Sequence, residues 1–332
     1  MKKYIIIIPV FLLLLTACTN EIPFDVKDSE SKMIINTLIN ADCSDNRIFV
    51  SLTGKEDIAS IDNVAVNLYV NGVLKEELET IPDSDSSSKV KGFLIKHTTF
   101  KPGDKVKIEA ATADGKYYAW GEETVPERVD IIKIDTATVR MKDIYSDSYS
   151  PYLRFRITFK DIPNKENFYR VVLEKKITRV STNQYSGHDE TVVTYGYSFI
   201  SREDVALTDG RPGTADDEEN GISTSVSNTY GVFNDSRFLN SEYTLNISQS
   251  KTSYYYGDDL KEEQISVTVY LQSISETEYY YLQALNKSID IVDDDILSES
   301  IHLPTNINGG IGLLGICAES SKILQTYNWK AK

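Results

Sequence analysis

Gly310-Ile311-Gly312-Leu313-Leu314-Gly315 spells the G-x-G-x-x-G pattern with which dinucleotide-binding enzymes bring backbone N–H groups up to a pyrophosphate. That chemistry needs a strand before the glycines, a helix after them and an acidic residue roughly 20 positions further on. Here the preceding segment ends in Leu303-Pro304-Thr305, a poor central strand, and the 17 residues after Gly315 leave no room for a βαβ unit. Gly309, Gly310, Gly312 and Gly315 are therefore read as structural glycines, placed where a turn or a close backbone approach excludes a Cβ. Ile311, Leu313, Leu314 and Ile316 pack around them. The stretch is expected to be a terminal strand or tight turn, packed on a second domain beside a capped helix.

The other chemistry-bearing residues form no reaction centre. His97 falls at a strand end, His188 in a polar turn and His302 just before a proline-containing loop. No serine sits in a G-x-S-x-G elbow. Paired carboxylates are plentiful, but acids in loops are usually solvated. No catalytic residue and no cofactor is assigned, and the chain is read as non-enzymatic. Asp216-Asp217-Glu218-Glu219 offers the oxygen ligands calcium prefers, without the spacing of an EF-hand loop. A hydrated acidic loop is the preferred reading there, so no metal site is assigned. Tyr254-Tyr255-Tyr256, beside Gly257-Asp258-Asp259, reads as a hairpin tip whose phenol rings offer rigid contact area. These tyrosines are the candidate ligand-binding residues, set against ordinary tyrosine use on strands. Cys43 and Cys317 leave open either a disulfide or two buried thiols, and no clustered Cys/His spacing suggests zinc.

The first residues place these groups in the cell envelope. Lys2 and Lys3 precede an apolar run from Tyr4 to Leu15, the length of a signal-peptide core and short of the roughly 20 residues a spanning helix needs. Leu15-Thr16-Ala17-Cys18 then looks like a bacterial lipoprotein box, with residues 1–17 as the signal peptide, Cys18 as the acylated residue and residues 18–24 as a linker. Several acyl chains bury enough methylene groups to anchor a globular body stably. Losing Lys2 and Lys3 takes the formal net charge from −15 to −17, which opposes electrostatic binding of nucleic acid or anionic headgroups.

The body is mostly β. Val64–Val70 and Val73–Leu78 flank Asn71-Gly72, a strong short hairpin signal because both turn positions want positive φ. Asp114-Gly115 turns Val106–Ala110 into Tyr117–Glu122. Short strands at this spacing predict an immunoglobulin-like or fibronectin-like β-sandwich over residues 25–126, closed by Val125-Pro126. Residues 127–332 are expected to form a second β-rich domain, with strands at Ile131–Val139, Tyr152–Phe159, Phe168–Val180, Thr191–Ile200, Tyr243–Ser248 and Ile265–Ile274. Residues 201–229 read as a long loop. One amphipathic helix stands near 276–292. Ser275-Glu276-Thr277-Glu278 is its capping box, and Leu282, Leu285, Ile289 and Val292 form its buried stripe.

In that order the chain resembles bacterial lipoproteins carrying domain of unknown function 4249. The resemblance rests on KMIINTLIN from Lys32, YYAWGEETVPE from Tyr117, VFNDSRF from Val232, LQSISETEYYYLQAL from Leu271 and PTNINGGIGLLG from Pro304. Asn234 departs from the commoner Ser-Asp pair. The family has no agreed activity and no catalytic residues to carry over. The resemblance implies a lipid-anchored outer-membrane accessory protein, either periplasm-facing or surface-exposed, working beside a TonB-dependent receptor in substrate capture. An adhesin or envelope-structural role through sandwich loops is the alternative. Cys18→Ser is expected to abolish palmitate labelling and to move the protein out of the membrane fraction. A variant that still took up palmitate would show that Leu15–Cys18 is not the acylation box.

Overall fold

The computed structural model describes residues 30–55, 57–82, 88–142, 148–183, 186–213, 228–251, 259–291 and 303–330. Lys32 to Lys332 form one compact unit. The fold is mostly β. The N-terminal strands are β1 (Met33–Asn40), β2 (Asn46–Thr53), β3 (Ile58–Ala59), β4 (Val64–Val70), β5 (Val73–Glu77), β6 (Glu79–Thr80), β7 (Lys91–Ile95), β8 (Lys105–Thr112) and β9 (Tyr118–Thr124). There follow β10 (Ile131–Lys142), β11 (Tyr149–Lys160), β12 (Phe168–Thr182), β13 (Asp189–Gly196), β14 (Val232–Asn234), β15 (Glu242–Ser250) and β16 (Leu260–Ile274). Helix α1 (Glu276–Ile291) precedes β17 (Ile307–Asn308) and β18 (Gly310–Lys330).

One ten-stranded sheet, in the order β13-β12-β16-β18-β1-β2-β7-β6 with β14 on β12 and β3 on β2, serves two sandwiches. At one end it faces the five-stranded sheet β17-β9-β8-β4-β5. There Ile35, Ile48, Val50 and Phe93 meet Val66, Leu68, Val106 and Ile108 in one apolar cluster. At the other end it faces the three-stranded sheet β10-β11-β15. There Val171, Leu173, Val267 and Val269 meet Phe155, Ile157, Leu245 and Ile247 in a second cluster. The alternation of buried and outward residues on β8 and β16 is what lets each strand give one face to a core.

The first core draws on residues between Met33 and Val125 and on Ile307, Leu314 and Ile316, and the second on residues between Val129 and Leu271. They are nevertheless joined by a shared strand. The first half of β18 runs parallel to β1, Met33 opposite Gly310 through Asn40 opposite Cys317. Its second half runs antiparallel to β16, from Cys317 opposite Ile274 to Lys330 opposite Glu262. At 21 residues it spans about 65–70 Å. Leu314 and Ile316 of its glycine-rich half belong to the first core, so this terminal strand completes the first sandwich, while Gly315 lies against Glu278 of the capped helix. Each fully buried side chain of that size stabilises the fold by about 1.5–3 kcal/mol.

The turns follow local chemistry. Asn71 and Gly72 take φ of 53° and 77°, the pair of positive values a two-residue hairpin needs. Gly312 takes φ of +117° inside β18, and a Cβ there would overlap the Ile35 carbonyl oxygen and sit 2.8 Å from Asn36 Oδ1. Asn36 Oδ1 is occupied in accepting from the Leu313 N–H at 3.1 Å. Gly312→Val is therefore expected to cost at least about 3 kcal/mol by combining backbone strain with loss of the β1–β18 register. Gly196→Ala, where a Cβ meets nothing within 4 Å, should change little. Urea unfolding of the two variants checks this, and a wild-type midpoint for Gly312→Val would end the close-approach explanation.

Candidate functional site

The core of the second sandwich gives way to polar residues at one end. Along β12 the core-facing positions run Val171, Leu173, Lys175, Ile177, Arg179, so apolar packing ends where Lys175 takes a core-facing place. Lys175 lies opposite Val267 on β16, and Val267 lies opposite Leu324 on β18. The opposite sheet ends in the same way, with Leu153 on β11 paired to Gln249 on β15. Between the two edges is a cavity of about 360 Å³. Pro151, Leu153, Gln249, Ser250 and Lys251 line one wall, and Lys175, Glu263, Ile265, Val267 and Tyr327 line the other.

The polar groups here are held in place. Lys175 Nζ donates to the Ser250 carbonyl oxygen at 3.3 Å. The Gln249 side-chain amide donates to the Ser198 carbonyl at 3.0 Å, and Lys251 Nζ donates to Thr138 Oγ1 at 3.1 Å. Glu263 is almost fully buried and is paired with Arg179, Nε to Oε2 at 2.6 Å. Burial pushes the Lys175 ammonium below the ordinary lysine range; the Glu263 carboxylate opposes that shift and Arg179 adds to it. A cleft with apolar walls, a few fixed polar groups and a perturbed lysine is the ordinary form of a small-molecule site.

A second buried polar group lies where helix α1 packs against the sheet. Phe168, Ile274, Tyr279, Leu282 and Cys317 make a third apolar cluster there, with Leu285 against it. Half of the predicted capping box forms, because Ser275 Oγ accepts from the Glu278 N–H at 3.3 Å. The reciprocal half does not. Glu278 Oε2 is buried without a hydrogen-bond partner, and a Cβ at Gly315 would lie 2.7 Å from it. Gly315 is thus small because a carboxyl group occupies the space. Burial pushes the Glu278 carboxyl up to about 7, with Arg170 opposing the shift and Glu123 adding to it. Burial likewise raises Glu123 and pushes the Cys317 thiol well above its usual value.

The other residues singled out from sequence are scattered or lie elsewhere. Cys18, Asp216, Asp217, Glu218, Glu219, Tyr254, Tyr255, Tyr256 and His302 lie outside the described residues, as do Val292 and the Asp293–Asp295 run beyond the helix. His97 and His188 are exposed. Among the described residues no three His, Cys, Asp or Glu side chains come together as metal ligands. Cys43 is exposed and Cys317 buried, and both are free thiols, so no disulfide joins them and only Cys317 is a buried thiol. The described part of the 201–229 segment packs more tightly than an open loop. Asp204 is buried and accepts from Tyr243 Oη at 2.8 Å and from the Asn246 N–H at 2.7 Å. Sequence reasoning missed Lys175, Gln249 and Glu263: Lys175 stands on the core-facing phase of the predicted strand Phe168–Val180, whereas Gln249 and Glu263 lie just beyond the ends of the predicted strands Tyr243–Ser248 and Ile265–Ile274.

Two β-sandwiches sharing one sheet, with a cavity at the mouth of the second, define a β-rich protein whose one α-helix among the described residues is a packing element. No helix among those residues is long and apolar enough to cross a membrane. The chain belongs to the family "Domain of unknown function (DUF4249)", whose model matches residues 19–323. No curated protein matches it. Among solved structures, a DUF4785 family protein from Legionella pneumophila subsp. pneumophila str. Philadelphia 1 is similar at 10% identity, over 73% of this chain and 53% of that one, with a TM-score of 0.23. The chain therefore spans about half the length of that protein.

Glu278 gives the site region a measurable pH signature. Its folded-state value of about 7 lies above the ordinary 4.5, so the folded chain keeps a proton that the unfolded chain releases. The stability this preserves is complete below about pH 4.5 and is lost as pH rises through about 7. Glu278→Gln should match wild type at low pH and exceed it above pH 7, by on the order of 2–4 kcal/mol. Denaturant titrations across pH check this, and parallel stability curves would refute the buried-acid description.

Proposed function

We propose that this protein is a non-enzymatic, lipid-anchored binding protein of the outer membrane, an accessory substrate-binding or receptor-associated subunit of a TonB-dependent uptake system. The cavity at the mouth of the second sandwich carries the binding part of this reading, because it joins apolar walls to fixed polar groups. The lipoprotein box at Leu15–Cys18 supports the anchor, and the resemblance to receptor-linked lipoproteins supports the partner. Acyl chains on Cys18 hold the protein to the membrane in this reading. The surplus of acidic residues makes nucleic acid an unsuitable partner.

One observation favours the alternative of an adhesin or envelope-structural protein. Among the described residues β13 ends the ten-stranded sheet, and its Val192, Val193 and Tyr195 are exposed. A free edge of that kind accepts an extended strand from another protein. Affinity purification of the native lipoprotein in mild detergent is expected to bring down a large outer-membrane barrel protein, and deletion of the gene to impair growth on one nutrient. Recovery of the protein alone, with an attachment defect and normal growth, would favour the alternative.

A further inference from the structure

We infer that the cavity between β11–β15 and β12–β16–β18 takes a small organic anion with an apolar body, its charged group held by Lys175. This rests on the binding reading given above and adds the chemical class of the ligand. The formal charge of the whole chain is −15, so a cationic pocket is not what composition alone would supply. Among its described lining residues the cavity has one carboxylate, Glu263, and Arg179 is already paired with it at 2.6 Å. The two lining ammonium groups are answered by neutral oxygens, Lys175 by the Ser250 carbonyl at 3.3 Å and Lys251 by the Thr138 hydroxyl at 3.1 Å. Among the described lining residues the pocket therefore keeps an excess of positive charge.

Lys175 is the better placed of the two. It stands at a core-facing position one step beyond Leu173, half-buried, whereas Lys251 is exposed. The half-buried Lys175 ammonium donates to a carbonyl and shares the Glu263 carboxylate with Arg179, so it has lost part of its hydration for an incomplete counter-charge, and an anion entering the cavity completes it. A cationic ligand would meet two like charges. The remaining wall, Leu153, Ile265, Val267 and Pro151, is apolar and offers hydrocarbon contact to the rest of the ligand. Anion at one end and hydrocarbon along the wall is the chemistry of a short amphipathic carboxylate.

The probes are hexanoate, hexylammonium and hexan-1-ol, which share one chain length and differ in charge. Ligand-observed NMR on the full lipidated chain in mild detergent, with protein-free micelles as background, gives their affinities. Hexanoate should bind most tightly. Lys175→Met should weaken it at least about tenfold, as expected for loss of a charge-assisted hydrogen bond, and Lys175→Arg should restore most of the affinity. Thermal unfolding of the variants separates a lost contact from a lost fold. If Lys175→Met does not fold, the ranking of the three probes on the wild-type protein still decides. Hexylammonium or hexan-1-ol binding as tightly as hexanoate overturns the anion assignment while leaving the cavity a binding site. Hexanoate affinity unchanged in a folded Lys175→Met overturns the role of Lys175. Absence of binding by all three probes overturns both this assignment and the cavity as a binding site.

Discussion

The parallel pairing of β1 with β18 is the constraint on which the molecule depends. It joins Met33–Asn40 to Gly310–Cys317, segments at opposite ends of the folded unit, and sets β18 at the centre of the shared sheet. The pairing is tight enough to exclude side chains at Gly310 and Gly312, where a Cβ would overlap the Met33 and Ile35 carbonyl oxygens. It also places Leu314 and Ile316 under the first five-stranded sheet. Removing it would expose the edge of β1, open the first core and detach β18 from half of its hydrogen bonds. The glycines that match a phosphate-loop pattern are thus explained by strand packing.

The cavity follows from the same sheet. β12, β16 and β18 all continue past the last apolar layer of the second core, and their core-facing positions change there to lysine, arginine, glutamate and tyrosine. The opposing strands β11 and β15 end in Leu153, Pro151 and Gln249 at the same level. A sandwich whose layers run on after the hydrocarbon filling stops has a mouth. Lys175 opposes closing of that mouth by collapse, since burying its ammonium fully would cost more than the apolar contact returned, whereas Glu263 is already buried against Arg179. By contrast, Glu278 is a polar group sealed inside, and its cost is reduced by holding a proton.

Much of the strand content was legible because the signals are local. Asn71-Gly72 specifies its own turn, and the alternation in Phe168–Val180 and Ile265–Ile274 places both strands to within a few residues of β12 and β16. Ser275 is a local cap and was read as one, whereas the Glu278 carboxylate was expected to reach back and instead turns toward Gly315, a residue 37 positions away that no local pattern reveals. The partner of β18 was illegible for the same reason, since a strand's sequence carries its period and not the identity of its neighbour. Lys175 was legible in principle, because a charged residue on the core-facing phase of an alternating strand marks where a core opens. The acidic and tyrosine clusters Asp216–Glu219 and Tyr254–Tyr256, more conspicuous in sequence, lie outside the described residues.

The β1–β18 pairing also orders events in time. Among the described residues β1 is the first strand to be synthesised, and its parallel partner is the last. The contact spans about 277 positions, so its closure entropy is met only after nearly every other strand exists. Until Gly310–Cys317 emerges, the first sandwich lacks Leu314 and Ile316 and cannot lock. A chain ended before Gly310 lacks the strand that completes the first core and ties it to the second. The strand that closes the first sandwich is thus also the one that makes the two cores interdependent.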